Sequence, residues 1–266
     1  MAQKKKLALM GCGFLGNIVA KAWVDGLLPD YELVGVCSRS PESAQETAEM
    51  TGCPYCANLQ ELLAQKPDIL VEAASVQCVR DIALPTLEAG VDLALISIGA
   101  LADEAFRRQV EDAARAHGAR VHIANGAVGG FDALQTLTLM AQAMDLPQDV
   151  VLHNLKGPNA LKNTPIYKEE MQNSEMDAFE GTAAQAIALL PTKVNVAVAT
   201  SLATIGADRT RSHITSIPGF AGDSQKITAT AGDYKAVVDI YSPTSAIAGW
   251  SLVALLRNLT APICLY

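Results

Sequence analysis

Three glycines spaced as G-x-G-x-x-G, in Gly11-Cys12-Gly13-Phe14-Leu15-Gly16, follow directly on the apolar run Leu7-Ala8-Leu9-Met10. With that spacing a chain can turn sharply at the first glycine and bring backbone N–H groups against a pyrophosphate at the second. At the third it can pack helix closely on strand. The helix that starts there adds partial positive charge for an anion. A second strand about 20 residues further on completes the context that makes the pattern informative. The expectation is a dinucleotide site built on Gly11, Gly13 and Gly16, with Phe14 and Leu15 carried on the same turn.

The second strand, Glu32-Leu33-Val34-Gly35-Val36-Cys37, ends in Ser38-Arg39-Ser40. A carboxylate at this point would bond a ribose 2′-OH and select NAD. The triplet has none, whereas Arg39 and the two hydroxyls suit a 2′-phosphate. The expected cofactor is NADP(H), with NAD(H) as the alternative. Ser40 also suits a helix N-cap.

Other reactive side chains are scattered. Six cysteines, at 12, 37, 53, 56, 78 and 264, form no disulfide framework, as in a reducing compartment. Cys53-Pro54-Tyr55-Cys56 is a C-x-x-C, but no second ligand pair follows, so no metal is expected and the thiols read as incidental. His122 and His153 fall in strand patterns, where packed or surface roles are commoner than catalysis. His213 is a third candidate, and His117 closes a helix pattern.

Positioning the glycine turn requires strands and helices in alternation, and the first half of the chain supplies them. Strand patterns at 6–10, 32–37, 69–73, 93–96 and 120–123 alternate with helix patterns at 16–27, 41–50, 59–65, 80–89 and 103–117. Such an order implies a doubly wound parallel sheet of Rossmann type. After Asn125-Gly126-Ala127-Val128-Gly129-Gly130 the rhythm changes. A helix (131–144) and a strand (150–156) precede a polar stretch from 157 to 178, two apolar helical segments (181–190 and 194–205) and extended segments at 210–217, 224–231 and 234–241. Gly232-Asp233 between the last two is a hairpin signal. Residues 1–124 are thus expected to form a dinucleotide-binding domain, and 125–243 a second, α+β substrate and dimerisation domain. The helical segment 244–266 should pack back on the first domain.

Bulk composition narrows the partners. With 50% hydrophobic and 18% charged residues, the chain has enough apolar surface for a packed globular fold. A net charge of −8 leaves no basic stripe for nucleic acid. Lys4-Lys5-Lys6 before an apolar run imitates a lipoprotein signal peptide, but the run is too short and the glycine pattern explains it better. With no unbroken run of about 18 apolar residues, no membrane span is expected, and the cytoplasm is the expected compartment.

Glu72-Ala73-Ala74-Ser75, Ser97-Ile98-Gly99-Ala100-Leu101 and Asn125 to Asp132 resemble the L-aspartate dehydrogenase family, as do Lys156-Gly157-Pro158, Glu180-Gly181-Thr182-Ala183, Asn195-Val196-Ala197 and Thr244-Ser245. The resemblance covers nearly the whole chain in order. It implies a Rossmann domain and an α+β catalytic domain, usually in a homodimer, that convert L-aspartate and NAD(P)+ to iminoaspartate, or to oxaloacetate and ammonia. By the same resemblance, Ala73, Ala74 and Ser75 lie along the cofactor, and Ala127 and Asn195 contact its nicotinamide end. Lys156 and Asp132 place the substrate, although Asp132 equally suits the dipole of its helix.

The resemblance breaks at the chemistry. Family members carry a catalytic His in D-P-x-x-x-x-N-x-H-x-I, and the matching stretch here runs from Ile217 to Ile227. Gln225 stands at the His position and Asp223 at the Asn position. The family's N-P-K-T-S reads Tyr241-Ser242-Pro243-Thr244-Ser245, without its Lys. Gln cannot exchange a proton near neutral pH, whereas oxidation of an amine needs a base. The expected function is hydride transfer between NADP(H) and a small amino or imino acid. An imine or carbonyl reductase with another substrate, and a dinucleotide-binding protein without turnover, are the alternatives.

Overall fold

The computed structural model describes residues 4–190 and 194–265, which fall into two compact units. The first comprises the chain up to Gly126 together with the segment from Ala246 onward; the second is Ala127–Ser245. The domain expectation extends to residues 1–3, 191–193 and 266, which lie outside the described residues.

In the first unit, β1 (Lys5–Met10), α1 (Phe14–Val24), β2 (Tyr31–Cys37), α2 (Pro41–Thr51), α3 (Leu59–Ala64) and β3 (Ile69–Glu72) alternate. They continue with α4 (Val76–Glu88), β4 (Asp92–Leu95), a 3₁₀ turn (Ile98–Ala102), α5 (Glu104–His117) and β5 (Val121–Ile123). The strands form one parallel sheet in the order β2-β1-β3-β4-β5. β3 is buried along its whole length, as a strand covered by helices on both faces must be. Helix starts follow local chemistry: Ser40, Asn58, Ser75 and Asp103 each accept an amide of the first turn of α2, α3, α4 and α5. Strand order reverses between β1 and β3, so a crevice opens at their C-terminal ends.

The second unit runs α6 (Phe131–Ala143), β6 (Gln148–Lys156), α7 (Pro158–Leu161), a 3₁₀ turn (Glu169–Gln172) and β7 (Met176–Thr182). It then runs α8 (Ala183–Leu189), α9 (Asn195–Ala203), β8 (Arg211–Ser216), β9 (Asp223–Ala231) and β10 (Tyr234–Ser242). The sheet order is β10-β9-β6-β8-β7, with β6 and β8 parallel and the remaining pairs antiparallel. Val150, Leu152, Ile227 and Ala229 on one face pack with Leu134 of α6, Ala183 of α8 and Ala197 of α9.

The polar stretch 157–178, to which the sequence assigns no element, holds α7, a 3₁₀ turn and the start of β7. One expectation needs correction. The segment 181–190 is not helical from its start, since β7 runs to Thr182 and α8 begins only after a capping box at Thr182 and Gln185. β7 is an edge strand half-exposed on both faces, so its residues show no period-2 alternation. A smaller shift lies in α4, which begins one turn before the expected Arg80, at Val76, because Ser75 caps it.

Chain end and chain start meet in the first unit. Helix α10 (Ala246–Thr260) packs along α1, and the Tyr31 hydroxyl donates to the Leu256 carbonyl at 2.8 Å.

Candidate functional site

The glycine turn sits at the C-terminal end of β1, on the crevice. Gly11 has φ +104°, a conformation open to glycine, and a Cβ there would lie 2.6 Å from the Ala73 carbonyl oxygen. A Cβ on Gly16 would overlap the Gly11 carbonyl, so the helix can approach the turn only with glycine there. Around Gly13 the position a Cβ would take is open. Gly13 is also the N-cap of α1, which has no side-chain cap and no acidic residue in its first turn. An open backbone cradle at a positive, uncapped helix end fits a pyrophosphate. Phe14 is exposed beside it, whereas Leu15 packs into the core, leaving only its backbone for a ligand. Asn17 holds the turn by donating to the Cys12 carbonyl at 3.2 Å while accepting from Thr47 of α2 at 2.9 Å.

Ser38, Arg39 and Ser40 follow β2. Arg39 is exposed. Ser40 caps α2 and donates to Glu42 Oε2 at 2.9 Å, which, with a backbone hydrogen bond, holds the Glu42 carboxyl below its usual range. A carboxylate therefore does stand near this loop, supplied from the first turn of α2 rather than from the strand end. Ala73, Ala74 and Ser75 follow β3, with Ala73 buried and Ala74 and Ser75 exposed. Glu72, just before them, belongs to the same motif, and its sequence context assigns it no role. It is 0% exposed and accepts the Ala74, Ser75 and Ser97 amides. Burial pushes its pKa up, against the pull of those donors.

In the second unit the register of β6 on β9 puts Lys156 opposite Asp223 and Asn154 opposite Gln225. The Lys156 ammonium pairs with Asp223 Oδ1, and Asn154 Nδ2 donates to Gln225 Oε1. Gln225 is 3% exposed and Asn154 6%. On the other side, β8 places Ser216 beside Lys156; its buried Oγ has no hydrogen-bond partner among the described residues. The structure thus brings Lys156 and Gln225 onto neighbouring rungs of one polar ladder. Asp132 is not a member of it: it is exposed in the first turn of α6. Asn195 is the first residue of α9, with Val194 as N-cap, and Ala127 is half-buried at the start of the unit. No spacing rule pointed to Asn154, because it meets Gln225 only through sheet register.

No histidine joins the ladder. His153 and His213 alternate to the opposite face, where their rings stack with centroids 4.4 Å apart. His213 Nε2 lies 2.8 Å from Asp177, and burial, with His213 beside it, lowers the His153 pKa. His122 bonds Asp92 at 3.0 Å in the first unit, and His117 ends α5. Among the described residues no cluster of His, Cys, Asp or Glu is arranged to hold a metal. Burial raises the thiol pKa of Cys53 and that of Cys56, the latter to about 11.

Residues 11–124 match the homoserine dehydrogenase NAD-binding domain, and residues 137–259 the aspartate dehydrogenase C-terminal domain. With the parallel sheet and glycine turn, this defines the chain as an NAD(P)-dependent oxidoreductase. The L-aspartate dehydrogenase of Methanocaldococcus jannaschii is 30% identical over 97% of this chain and 98% of its own length. That of Methanosarcina acetivorans is 33% identical over 97% of this chain and 98% of its own length. The chain belongs to the L-aspartate dehydrogenase family. The aspartate dehydrogenase structure from Thermotoga maritima shares the fold at TM-score 0.78 and 23% identity, covering 99% of this chain and 100% of that one. An amine dehydrogenase structure from Mycobacterium smegmatis shares it more loosely, at TM-score 0.58 and 15% identity, covering 97% and 93% of the two chains. The chain is thus an enzyme of the amino-acid dehydrogenase class, and a binder without turnover is set aside.

Proposed function

We propose that this enzyme transfers hydride between NADP(H) and a small amino acid or its imine, with aspartate and iminoaspartate as the first pair to test. Gly11, Gly13 and Gly16, with the Phe14 and Leu15 backbone, would hold the pyrophosphate, and Ala73, Ala74 and Ser75 would line its path. Ser38 and Arg39 would take the 2′-phosphate, with Ser40 as helix cap. Ala127 and Asn195 would meet the nicotinamide end. When bound, the nicotinamide exchanges hydride with the carbon that bears the substrate nitrogen.

On the substrate side, Lys156, held by Asp223, presents an ammonium to a carboxylate, and Asp132 is a second polar group for placement. The observation that carries the reading is the buried Asn154–Gln225 pair beside Lys156. Gln225 orients by hydrogen bonding and does not ionise near neutral pH. Reduction of a preformed iminium consumes hydride alone and asks no base of the protein, so this reaction is open to a site with Gln225 in place of a titrating group. The departures at Asp223 and Gln225 support a second reading, an imine or carbonyl reductase with another substrate. Six free cysteines suit the cytoplasm. A homodimer is supported by Val237 and Tyr241, exposed on the sheet face turned away from the second core.

The test is NADPH oxidation with oxaloacetate and ammonia, then with a panel of 2-oxo acids and amines. Turnover with an imine-forming pair is expected. A panel that stays silent while NADPH binds would contradict the reading, and turnover with carbonyls but no amine would move it to carbonyl reduction.

A further inference from the structure

Glu72 is a buried carboxylate that hydride transfer does not use. It ends β3, beside the crevice where strand order reverses. Oε1 accepts the Ala74 and Ser75 amides at 2.7 and 2.8 Å, and Oε2 accepts the Ser97 amide at 3.1 Å. One side chain thus bridges the turn after β3 and the turn after β4. Both turns end neighbouring parallel strands on the crevice rim. The first of them packs directly on the glycine turn, since a Cβ on Gly11 would lie 2.6 Å from the Ala73 oxygen and 2.9 Å from the Ala74 Cβ. Ser75 passes the constraint on by capping α4 through Cys78 N–H.

We propose that Glu72 is a positioning residue for the dinucleotide, holding the turns after β3 and β4 in register with the glycine turn. This rests on the reading that the crevice binds NADP(H). A carboxylate is required because both oxygens must accept. Glutamine keeps the shape but has a single acceptor oxygen, which can serve the Ala74 and Ser75 amides. Its NH₂ then faces the Ser97 N–H, donor against donor, so the turn after β4 is released. Burial pushes the Glu72 pKa up, while the converging amides and the Ser97 side chain pull it down, so these donors take the place of water around the buried carboxyl.

The test is NADPH titration by calorimetry, with steady-state kinetics, for the wild type, Glu72→Gln and Ser97→Pro. Proline removes both the Ser97 N–H and its hydroxyl, the two groups through which Ser97 meets Glu72, and leaves Glu72 in place. NADPH affinity should fall about tenfold in each variant. The KM of the second substrate should not change, and kcat at saturating NADPH should stay within about twofold. Wild-type affinity in a folded Glu72→Gln, or a loss confined to kcat, overturns the proposal. Should Glu72→Gln fail to fold, Ser97→Pro decides alone by the same criteria. A wild type that binds neither NADPH nor NADH overturns the cofactor reading and this inference with it, and shows itself before any substitution is compared.

Discussion

At the scale of single residues, cofactor choice turns on Arg39. It is exposed at the end of β2, and the nearest acidic competitor in sequence, Glu42, is already engaged by Ser40. Arg39→Ala should raise the KM for NADPH about tenfold and leave that for NADH nearly unchanged, since only the former carries a 2′-phosphate. Equal effects on both would remove Arg39 from the site. The glycine turn was legible because its residue types and local spacing alone dictate it. Glu72 was not, because one acidic residue after Ile69-Leu70-Val71 says nothing of three amides converging on it. The Asn154–Gln225 contact was equally hidden, since it joins residues 71 apart through sheet register.

At the scale of elements, the first sheet was readable because buried parallel strands are apolar runs with capped helices between them. β7 was not, because an edge strand exposed on both faces loses alternation. The packing of α10 on α1 makes a sharper demand. A Cβ on Gly249 would lie 2.8 Å from Ile18 Cδ1 and 3.2 Å from the Leu15 carbonyl oxygen. Gly249→Val should therefore destabilise by about 1–3 kcal/mol, as overpacking does. A protein of this size loses about 2–4 °C of Tm per kcal/mol, so calorimetry should show a clear drop. Because Leu15 and Ile18 follow the glycine turn directly, NADPH affinity should fall too. An unchanged Tm would mean that the two helices do not meet as closely as described.

At the scale of the molecule, the register of the second sheet turns one face away from that unit's core. Its inner face is filled by α6, α8 and α9, while the outer one presents Val237, Tyr241 and the Lys226–Asp239 pair, 3.2 Å apart. Light scattering after size exclusion should give twice the mass of one chain. Val237→Lys, which puts an unpaired charge on that face, should shift the mass toward the monomer. A wild-type monomer at assay concentration would contradict the homodimer.

The central claim is that this enzyme reduces a preformed imine without a titrating side chain at position 225. It is tested most directly by comparing reductive turnover of imine with oxidative turnover of the corresponding amino acid, in the wild type and in Gln225→His. The account predicts imine reduction by the wild type, and that Gln225→His raises oxidation of the amino acid on the order of 100-fold, with imine reduction rising alongside it, while leaving the KM for NADPH unchanged. A wild type without imine reduction, or no gain in either direction from the substitution, would contradict it.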